Sequence, residues 1–363
     1  MNKLVNIDTI YILVDTEDFD NQSILNYFKE EKEKAIVGAN TNTTYKHLID
    51  INKVTFQLLP NGSQGYNYIL RNNGYEIKVA QHKAKLDAFF PIQIRISSEY
   101  LWSYGLANSW SYIYNLIVET FGNIARHKIC RLDLCCHVSD VDFTTNFEEV
   151  YKGKFKNKEI FYTGNLPNAI TFGSRSNKKI YCRIYNKSLE IQKKKEKPWF
   201  KEIWKKAGLN IENVWNIEFE LKSDILREFN LTTITDITNN LKELWKYCTI
   251  KHLVKIDKTN TRKERCPVNK EWQEIQNAYN EFVSVGLIQR NKQIELDAKA
   301  LIPNILGCIT SYSARTGDLN IIQAFNNIYE DSQKYFKNKQ TDFEKEVKNK
   351  MALIRQKGEE KHG

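Results

Sequence analysis

The chain has 363 residues, with 54 Lys or Arg against 44 Asp or Glu, which gives a net charge of +10. At about 100–200 residues per domain, this length predicts two domains and leaves ample residues for a buried core. The positive charge favours a polyanionic partner. No run of about 18 apolar residues occurs, so we expect no membrane span and no membrane partner.

The N-terminus and the cysteines together predict a cytoplasmic protein. Residues Met1–Thr9 lack the basic stretch and long apolar run of a secretory leader. The seven cysteines form no Cys-x-x-Cys pair, and four of them lie in apolar, strand-like segments. We therefore expect reduced thiols in the core.

Apolar periodicity predicts strands and one long helix in the first third of the chain. The predicted strands are Thr9–Val14, Lys53–Leu59, Tyr66–Arg71 and Ala88–Ser97. A helix is predicted over Ser98–Phe121, with Ser98 as its N-cap. Its apolar positions recur at helical spacing, and they are Trp102, Leu106, Trp110, Ile113 and Ile117.

The middle of the chain continues with strands and short helices. The predicted strands are Lys128–Val138, Ile160–Thr163, Ile170–Phe172, Lys178–Asn186 and Val214–Lys222. The predicted helices are Phe147–Lys152, the basic segment Lys187–Lys206, and Ser223–Phe229. Strands and helices without regular βαβ alternation predict an α+β fold, a mostly antiparallel sheet with flanking helices.

The domain boundary is predicted near residue 255. From about Asn239 the pattern is mostly helical, and the charged loop Asp257–Arg265 follows. We therefore expect a first domain over residues 1–255 and a smaller, mainly α-helical C-terminal domain over residues 256–363.

Three of the predicted strands each combine an apolar face with a face of ionisable and tyrosyl groups, because side chains alternate along a strand. The polar positions of Lys128–Val138 are Arg131, Asp133, Cys135 and His137. Those of Lys178–Asn186 are Lys179, Tyr181, Arg183 and Tyr185, and those of Val214–Lys222 are Asn216, Glu218, Glu220 and Lys222. If the three strands share a sheet, these groups assemble on one surface.

Such a surface is suited to phosphodiester cleavage. Carboxylates hold Mg²⁺ or Mn²⁺, and the metal stabilises charge on a phosphoryl group. A tyrosine, with a pKa of about 10, needs nearby cations to become a nucleophile. Arg183 and Lys179 are cations on the same strand face as Tyr185. The alternative is a plain half-exposed antiparallel sheet, which shows the same alternation.

A basic segment provides candidate contacts to a nucleic-acid backbone. Residues 174–206 hold 12 Lys or Arg against 3 Glu, a surplus of nine. The segment Gly173–Ser176 is either a hairpin turn or a phosphate contact, and Lys193–Lys195 is either a solvated face or a phosphate contact. The candidate DNA-binding residues are Arg131, Arg175, Lys178, Lys179, Lys187, Lys193, Lys194 and Lys195.

The order of these segments resembles the replication initiators of small staphylococcal rolling-circle plasmids and the related relaxases of some conjugative elements. The matching stretch is about Lys128–Asp224, and its most specific part is Arg183-Ile184-Tyr185-Asn186-Lys187. The resemblance implies that Tyr185 is the nucleophile, assisted by Arg183. It also implies a metal site with Asp133, Glu218 and Glu220 as candidate ligands. His137, on the same strand face as Asp133, is a further candidate.

Two positions depart from the pattern of these families. Some relatives carry an aspartate at the position of His137, so this residue is either a ligand or base, or a plain surface histidine. The plasmid initiators carry an arginine at the position of Asn216. The chain has no His-hydrophobic-His motif, so the two-histidine metal site of the better-known nickase superfamily is not expected.

The resemblance implies metal-dependent nicking and rejoining of one strand through a 5′-phosphotyrosine intermediate. The expected partners are double-stranded plasmid origin DNA, a single-stranded nick site, a host helicase, a host polymerase and a second copy of the chain. The C-terminal domain would recognise DNA or form the homodimer. The alternatives are a relaxase that nicks a transfer origin, and a non-catalytic DNA-binding regulator.

Overall fold

The structure is a computed structural model that describes residues 1–19, 22–41, 44–82, 89–176, 179–194, 197–282, 301–339, 341–348 and 350–351. The chain forms two compact units, Met1–Asn291 and Lys292–Gly363. In these described ranges, no helix combines the length and the apolar character needed to cross a bilayer.

A large antiparallel sheet forms the body of the first unit. The strands are β1 (Lys3–Thr16), β2 (His47–Ile51), β3 (Val54–Leu58), β4 (Tyr68–Arg71), β5 (Tyr75–Val79), β6 (Ile92–Ile96), β7 (Ile124–Ser139), β8 (Tyr151–Gly153), β9 (Lys158–Thr163), β10 (Leu166–Phe172), β11 (Ile180–Asn186), β12 (Val214–Lys222) and β13 (Leu253–Lys255). In the described part of the chain, eleven of them follow the order β2-β3-β4-β5-β6-β1-β7-β12-β11-β10-β9, and β8 pairs with β13 separately.

Helices flank the sheet and make up the described part of the second unit. In the first unit they are α1 (Gln22–Thr41), α2 (Ser98–Phe121), α3 (Lys187–Lys194), α4 (Trp199–Lys206), α5 (Ser223–Glu228), α6 (Ile234–Lys246) and α7 (Lys270–Gln276), with a π-helical turn over Tyr247–His252. In the second unit they are α8 (Ile302–Thr316) and α9 (Ile321–Asn338). The predicted α+β fold and the helical C-terminal region are confirmed.

Three local predictions were wrong. The helix predicted over Phe147–Lys152 is a series of turns followed by β8, whose Tyr151 ring is buried against Phe172 and Trp272. The basic helix is divided into α3 and α4, with Pro198 immediately before α4. Proline lacks the N–H that a continuous helix needs. The N-cap of α2 is Ser97, which leaves the Ser98 hydroxyl for another partner.

The first unit extends past the predicted boundary at residue 255. Residues Trp272, Ile275 and Tyr279 are buried in the same core as the sheet. The Trp272 indole N–H donates to the Thr249 carbonyl at 3.0 Å, and the Tyr279 hydroxyl donates to the Cys135 carbonyl of β7 at 3.0 Å. The segment that follows the charged loop therefore completes the core of the first unit.

Trp272→Ala tests whether this segment stabilises the sheet. We expect the free energy of unfolding to fall by about 3–5 kcal/mol, because the substitution removes a fully buried indole. Urea unfolding followed by circular dichroism measures the change. The control is Tyr162→Ala, at a side chain that is 58% exposed, with an expected change within about 0.5 kcal/mol. Equal stabilities of the two variants would contradict this role.

Candidate active site

The three strands predicted to carry the chemistry are neighbours in the sheet, in the order β7-β12-β11. Their antiparallel register aligns the polar positions in three rows across the strands. The rows are Asp133–Glu220–Tyr181, Cys135–Glu218–Arg183 and His137–Asn216–Tyr185. Adjacent strands lie about 4.7–4.9 Å apart, so the members of a row are lateral neighbours. We call this surface the acidic face.

The hydroxyl of Tyr185 is the centre of a hydrogen-bond network on the acidic face. It accepts from the Lys187 ammonium at 2.9 Å and from the Asn216 side-chain amide at 3.0 Å, and it donates to Glu218 Oε2 at 3.2 Å. Burial and the Glu218 carboxylate raise the pKa of Tyr185 well above its ordinary value, and Arg183 opposes them only in part. The resting tyrosine is therefore a neutral phenol whose proton lies toward Glu218.

Glu218 connects Tyr185 to Arg183. Its side chain is buried, and its Oε1 accepts from the Arg183 guanidinium, which also lies 5.3 Å from the centre of the Tyr185 ring. The amide of Asn216 donates to Glu218 Oε2 at 3.3 Å. The Asn216 Oδ1 atom is buried and has no hydrogen-bond partner within the described ranges. This amide oxygen is therefore an unused acceptor close to the tyrosine.

Asp133 and Glu220 share one cation. The Arg131 guanidinium donates to both oxygens of Asp133, at 2.9 and 2.7 Å, and lies 2.8 Å from Glu220 Oε2. Lys222 forms a 3.2 Å ion pair with Glu220. Burial and the Glu218 and Glu220 carboxylates raise the pKa of Asp133 to about 7, against the hydrogen bonds from Arg131. Arg131, a predicted DNA contact, is thus held by carboxylates of the acidic face.

His137 is enclosed by aromatic rings. It is fully buried, its ring stacks on Trp102 with centroids 5.2 Å apart, and its Nδ1 accepts from the Trp204 indole N–H at 3.0 Å. Burial, aided by Lys187, lowers its pKa to about 3. An indole N–H only donates, so the neutral ring carries its proton on Nε2. The surface-histidine alternative is therefore wrong, and in this tautomer the ring presents no free lone pair.

Asp8 is a carboxylate that the sequence patterns did not identify. A bulge interrupts the pairing of β1 with β7 between Ile7 and Thr9, and it leaves Asp8 buried. The carboxylate accepts from Ser98 Oγ at 2.8 Å. Burial by itself raises the pKa of Asp8, but the ammonium groups of Lys197 and Lys187 outweigh it and the pKa is lowered. A fourth carboxylate therefore contributes to the electrostatics around Tyr185.

The predicted DNA-binding residues whose side chains the structure describes fall into two groups, buried and accessible. Lys187 is buried, and its ammonium pairs with Glu190 at 2.7 Å as well as with Tyr185. Arg175, Lys179 and Lys193 have solvent-accessible side chains. Lys178, Lys195 and the side chain of Lys194 lie outside the described residues. Lys187 is thus placed to act on the tyrosine, and the accessible cations remain candidates for phosphate contact.

The predicted metal ligands fit a hard cation in their donor chemistry. Asp133, Glu218 and Glu220 are buried carboxylates on neighbouring strands, and oxygen donors are what Mg²⁺ and Mn²⁺ prefer. Burial, and after it the Glu218 and Glu220 carboxylates, raise the pKa of Asp133, and a divalent cation would favour its charged form. In the present side-chain arrangement, no group of three or more described His, Cys, Asp or Glu residues forms a metal site.

Comparison with known proteins finds a likeness in structure but none in sequence. No protein-family model matches the chain, and no curated protein sequence matches it. The chain is similar to the solved structure of a rolling circle replication initiator protein from Geobacillus stearothermophilus, at 15% sequence identity and a TM-score of 0.48. The similarity covers 79% of this chain and 100% of that chain.

Asp133→Asn tests whether burial and the neighbouring carboxylates raise the pKa of Asp133. Because the folded pKa of Asp133 is raised to about 7, its contribution to stability is complete below the unfolded pKa and is lost as the pH rises through about 7. Asparagine does not titrate. The variant should therefore gain on the order of 1–3 kcal/mol relative to the unsubstituted chain between pH 5 and pH 8, measured by urea unfolding at each pH.

The control for this pH dependence is Asp142→Asn. Hydrogen bonds from Thr144 and Thr145 outweigh burial and lower the pKa of Asp142 to about 2, so it stays ionised between pH 5 and pH 8. Its stability curve should run parallel to that of the unsubstituted chain. Parallel curves for Asp133→Asn as well would show that burial and the neighbouring carboxylates do not raise the pKa of Asp133.

Proposed function

We propose that this protein nicks and rejoins one strand of DNA at a plasmid origin, with Tyr185 as the nucleophile, and thereby initiates rolling-circle replication. The observation that carries the proposal is the environment of the Tyr185 hydroxyl. Lys187, Asn216 and Glu218 all hydrogen-bond to it, and Arg183 lies beside its ring. Tyr185 also lines a cavity of about 330 Å³ into which a substrate can reach.

Glu218 is the proposed acceptor of the tyrosine proton. The phenol already donates to Glu218 Oε2 at 3.2 Å. As the proton moves to this carboxylate, the phenolate oxygen attacks the scissile phosphorus and the bond from phosphorus to the 3′ oxygen breaks. The 3′ oxygen takes a proton from solvent and becomes a hydroxyl that a host polymerase can extend. The DNA keeps its 5′ phosphate as an ester of Tyr185, and the reverse steps rejoin the strand.

Lys187 is the proposed stabiliser of the phenolate. Its ammonium lies 2.9 Å from the Tyr185 oxygen, is buried, and is fixed by Glu190. A buried cation at this distance favours the charged form of the phenol during attack, and it favours the same phenolate as the leaving group during rejoining. Asn216 donates to the same oxygen and fixes its position.

A divalent metal, Mg²⁺ or Mn²⁺, is part of the proposal. Asp133 and Glu220 would hold it, since they are the buried carboxylates of the acidic face that take no proton from Tyr185. When bound, such an ion polarises the phosphoryl group and stabilises charge in the transition state. The guanidinium of Arg183 supplies positive charge next to Glu218 and Tyr185 from the protein itself.

The proposed DNA substrate is an origin whose nick site is presented as a single strand. The accessible side chains of Arg175, Lys179 and Lys193 are the proposed contacts to phosphates. A host helicase would unwind the duplex, and the protein would act as a homodimer. The second unit is the proposed site of origin recognition or dimerisation.

Tyr185→Phe tests the nucleophile. The substrate is a 3′-labelled pool of hairpin oligonucleotides with a randomised loop, incubated with Mg²⁺ or Mn²⁺. A covalent adduct resolved on a denaturing gel reports the reaction. We expect the unsubstituted chain to form an adduct and Tyr185→Phe to lose it by at least about 10³-fold, since phenylalanine has no attacking oxygen.

The matched control is Tyr181→Phe, which lies four residues away on the same strand face and should retain the adduct. Loss with Tyr181→Phe and retention with Tyr185→Phe would identify Tyr181 as the nucleophile. If the unsubstituted chain forms no adduct with either metal, the nicking proposal fails. If an adduct forms, the selected oligonucleotide sequence is placed in a circular DNA that lacks transfer functions. Autonomous copying of this circle favours replication over conjugative transfer.

Lys187→Met tests the phenolate stabiliser. Methionine is unbranched like lysine but uncharged, so the phenolate loses its nearest cation. Adduct formation should slow by about 10²-fold, and its pH dependence should move to higher pH. Lys187→Arg should restore part of the rate because it keeps the charge. Lys193→Met, on the same helix, should leave the pH profile unchanged, and identical profiles for all three variants would refute the role.

A further inference from the structure

Two aromatic residues, Phe161 and Tyr185, line the cavity beside the proposed nucleophile. The sheet register aligns Phe161 of β9, Ala169 of β10 and Tyr185 of β11 in one row. All three residues line the cavity. Neighbouring strands are about 4.7–4.9 Å apart, so the backbones that carry the two rings are about 9–10 Å apart. Since Ala169 has only a methyl group, the space above it is open.

This space fits one planar heterocycle. A base that stacks on Phe161 lies about 3.5–4.0 Å from its ring, and the space above Ala169 leaves room for it. The volume of about 330 Å³ is at the size that holds a single small ligand. Phe161 is 46% exposed, so its ring is accessible to a ligand from solvent. Exposed aromatic rings of this kind stack on unpaired bases.

A polar atom in the cavity wall has no partner. The pairing of β10 with β9 is irregular between Pro167 and Ala169, so Asn168 and Ala169 both line the cavity although they are consecutive. The Asn168 amide nitrogen donates to Thr163 Oγ1 at 2.6 Å. The Asn168 Oδ1 atom is buried and accepts no hydrogen bond from any described residue. The wall therefore offers an acceptor to a ligand N–H.

A lysine side chain, that of Lys193, also lines this cavity. Lys193 belongs to α3, has an exposed side chain, and donates to Thr163 Oγ1 at 2.7 Å. Arg183 lines the cavity next to Tyr185. Glu218 neutralises the charge of Arg183, so Lys193 is the accessible cation among the described residues that line the cavity. An aromatic ring, an unused acceptor and this cation are together suited to a nucleotide, which has a planar base with N–H groups and a charged phosphate.

We propose that this cavity holds one unpaired base of the nicked strand, next to the scissile phosphate. The base stacks on Phe161, one of its N–H groups donates to Asn168 Oδ1, and Lys193 contacts an adjoining phosphate. This inference rests on the proposed function, because it identifies a binding site for the DNA strand that Tyr185 attacks. It assigns to β9 and β10 the positioning of the substrate against the nucleophile on β11.

The test removes the base and the ring separately. An oligonucleotide captured as an adduct is remade with a single abasic site at each position within about four nucleotides of the nick. At one position, the abasic site should raise the KM for adduct formation by about 10- to 100-fold. Phe161→Ala should raise the KM for the intact oligonucleotide by a similar factor. Phe161→Ala should then be insensitive to the abasic site at that position, since the two changes remove the same contact.

Tyr162→Ala is the matched control. Tyr162 is the next residue on β9, its side chain points to the other side of the sheet, and it is 58% exposed. The control should bind the intact oligonucleotide normally and keep its sensitivity to the abasic site. Urea unfolding verifies that both variants fold. A second readout is 2-aminopurine at the sensitive position, whose fluorescence should be quenched by the unsubstituted chain and not by Phe161→Ala.

The outcomes separate this inference from the proposed function. Adduct formation that is insensitive to every abasic site, or equal behaviour of Phe161→Ala and Tyr162→Ala, overturns the base-binding site and leaves the nicking activity standing. Additive effects of Phe161→Ala and the abasic site also overturn it, because they place the ring and the base in different contacts. The absence of any adduct with the unsubstituted chain overturns both.

Discussion

The antiparallel register of β7, β12 and β11 is the constraint on which the rest of the candidate site depends. It places Tyr185 beside Asn216 and Arg183 beside Glu218. A slip of one residue would turn Glu218 into the apolar core and bring Ile217 and Phe219 to the acidic face. The opposite face prevents this slip, since Phe219 is buried against the Trp245 ring. Core packing on one side of the sheet therefore fixes the chemistry on the other.

The acidic face also depends on pairing of buried charge. Asp8, Asp133, Glu218 and Glu220 are all buried, and an isolated buried carboxylate is costly. Each of these carboxylates is paired with a cation or accepts a hydrogen bond. The cations are Arg131, Arg183, Lys187 and Lys222. These four side chains are consequently committed to the interior of the site. Positive charge for a polyanion must then come from other residues, such as the accessible cations Arg175, Lys179 and Lys193.

Period-two alternation predicted the core of the site because it depends only on local geometry. The strand Val214–Lys222 has the predicted bounds, and the three polar strand faces do meet. The alternation did not predict Asp8, because a bulge breaks it there. It also did not predict the burial of His137, because the enclosing rings of Trp102 and Trp204 come from distant helices. The alternation of residues along a strand gives no information about which distant side chains pack against it.

One row of the sheet suggests the direction from which a substrate arrives. From the sheet edge inward, its members are Phe161, Ala169, Tyr185, Asn216 and His137. Exposure falls along the row, from 46% at Phe161 to 0% at His137, where Trp102, Phe200 and Trp204 enclose the ring. In the proposed function, a single strand therefore approaches over β9 and β10. The strand meets Tyr185 at the boundary between the accessible and the buried members of the row. The buried Asn216 fixes the position of the Tyr185 hydroxyl through its hydrogen bond.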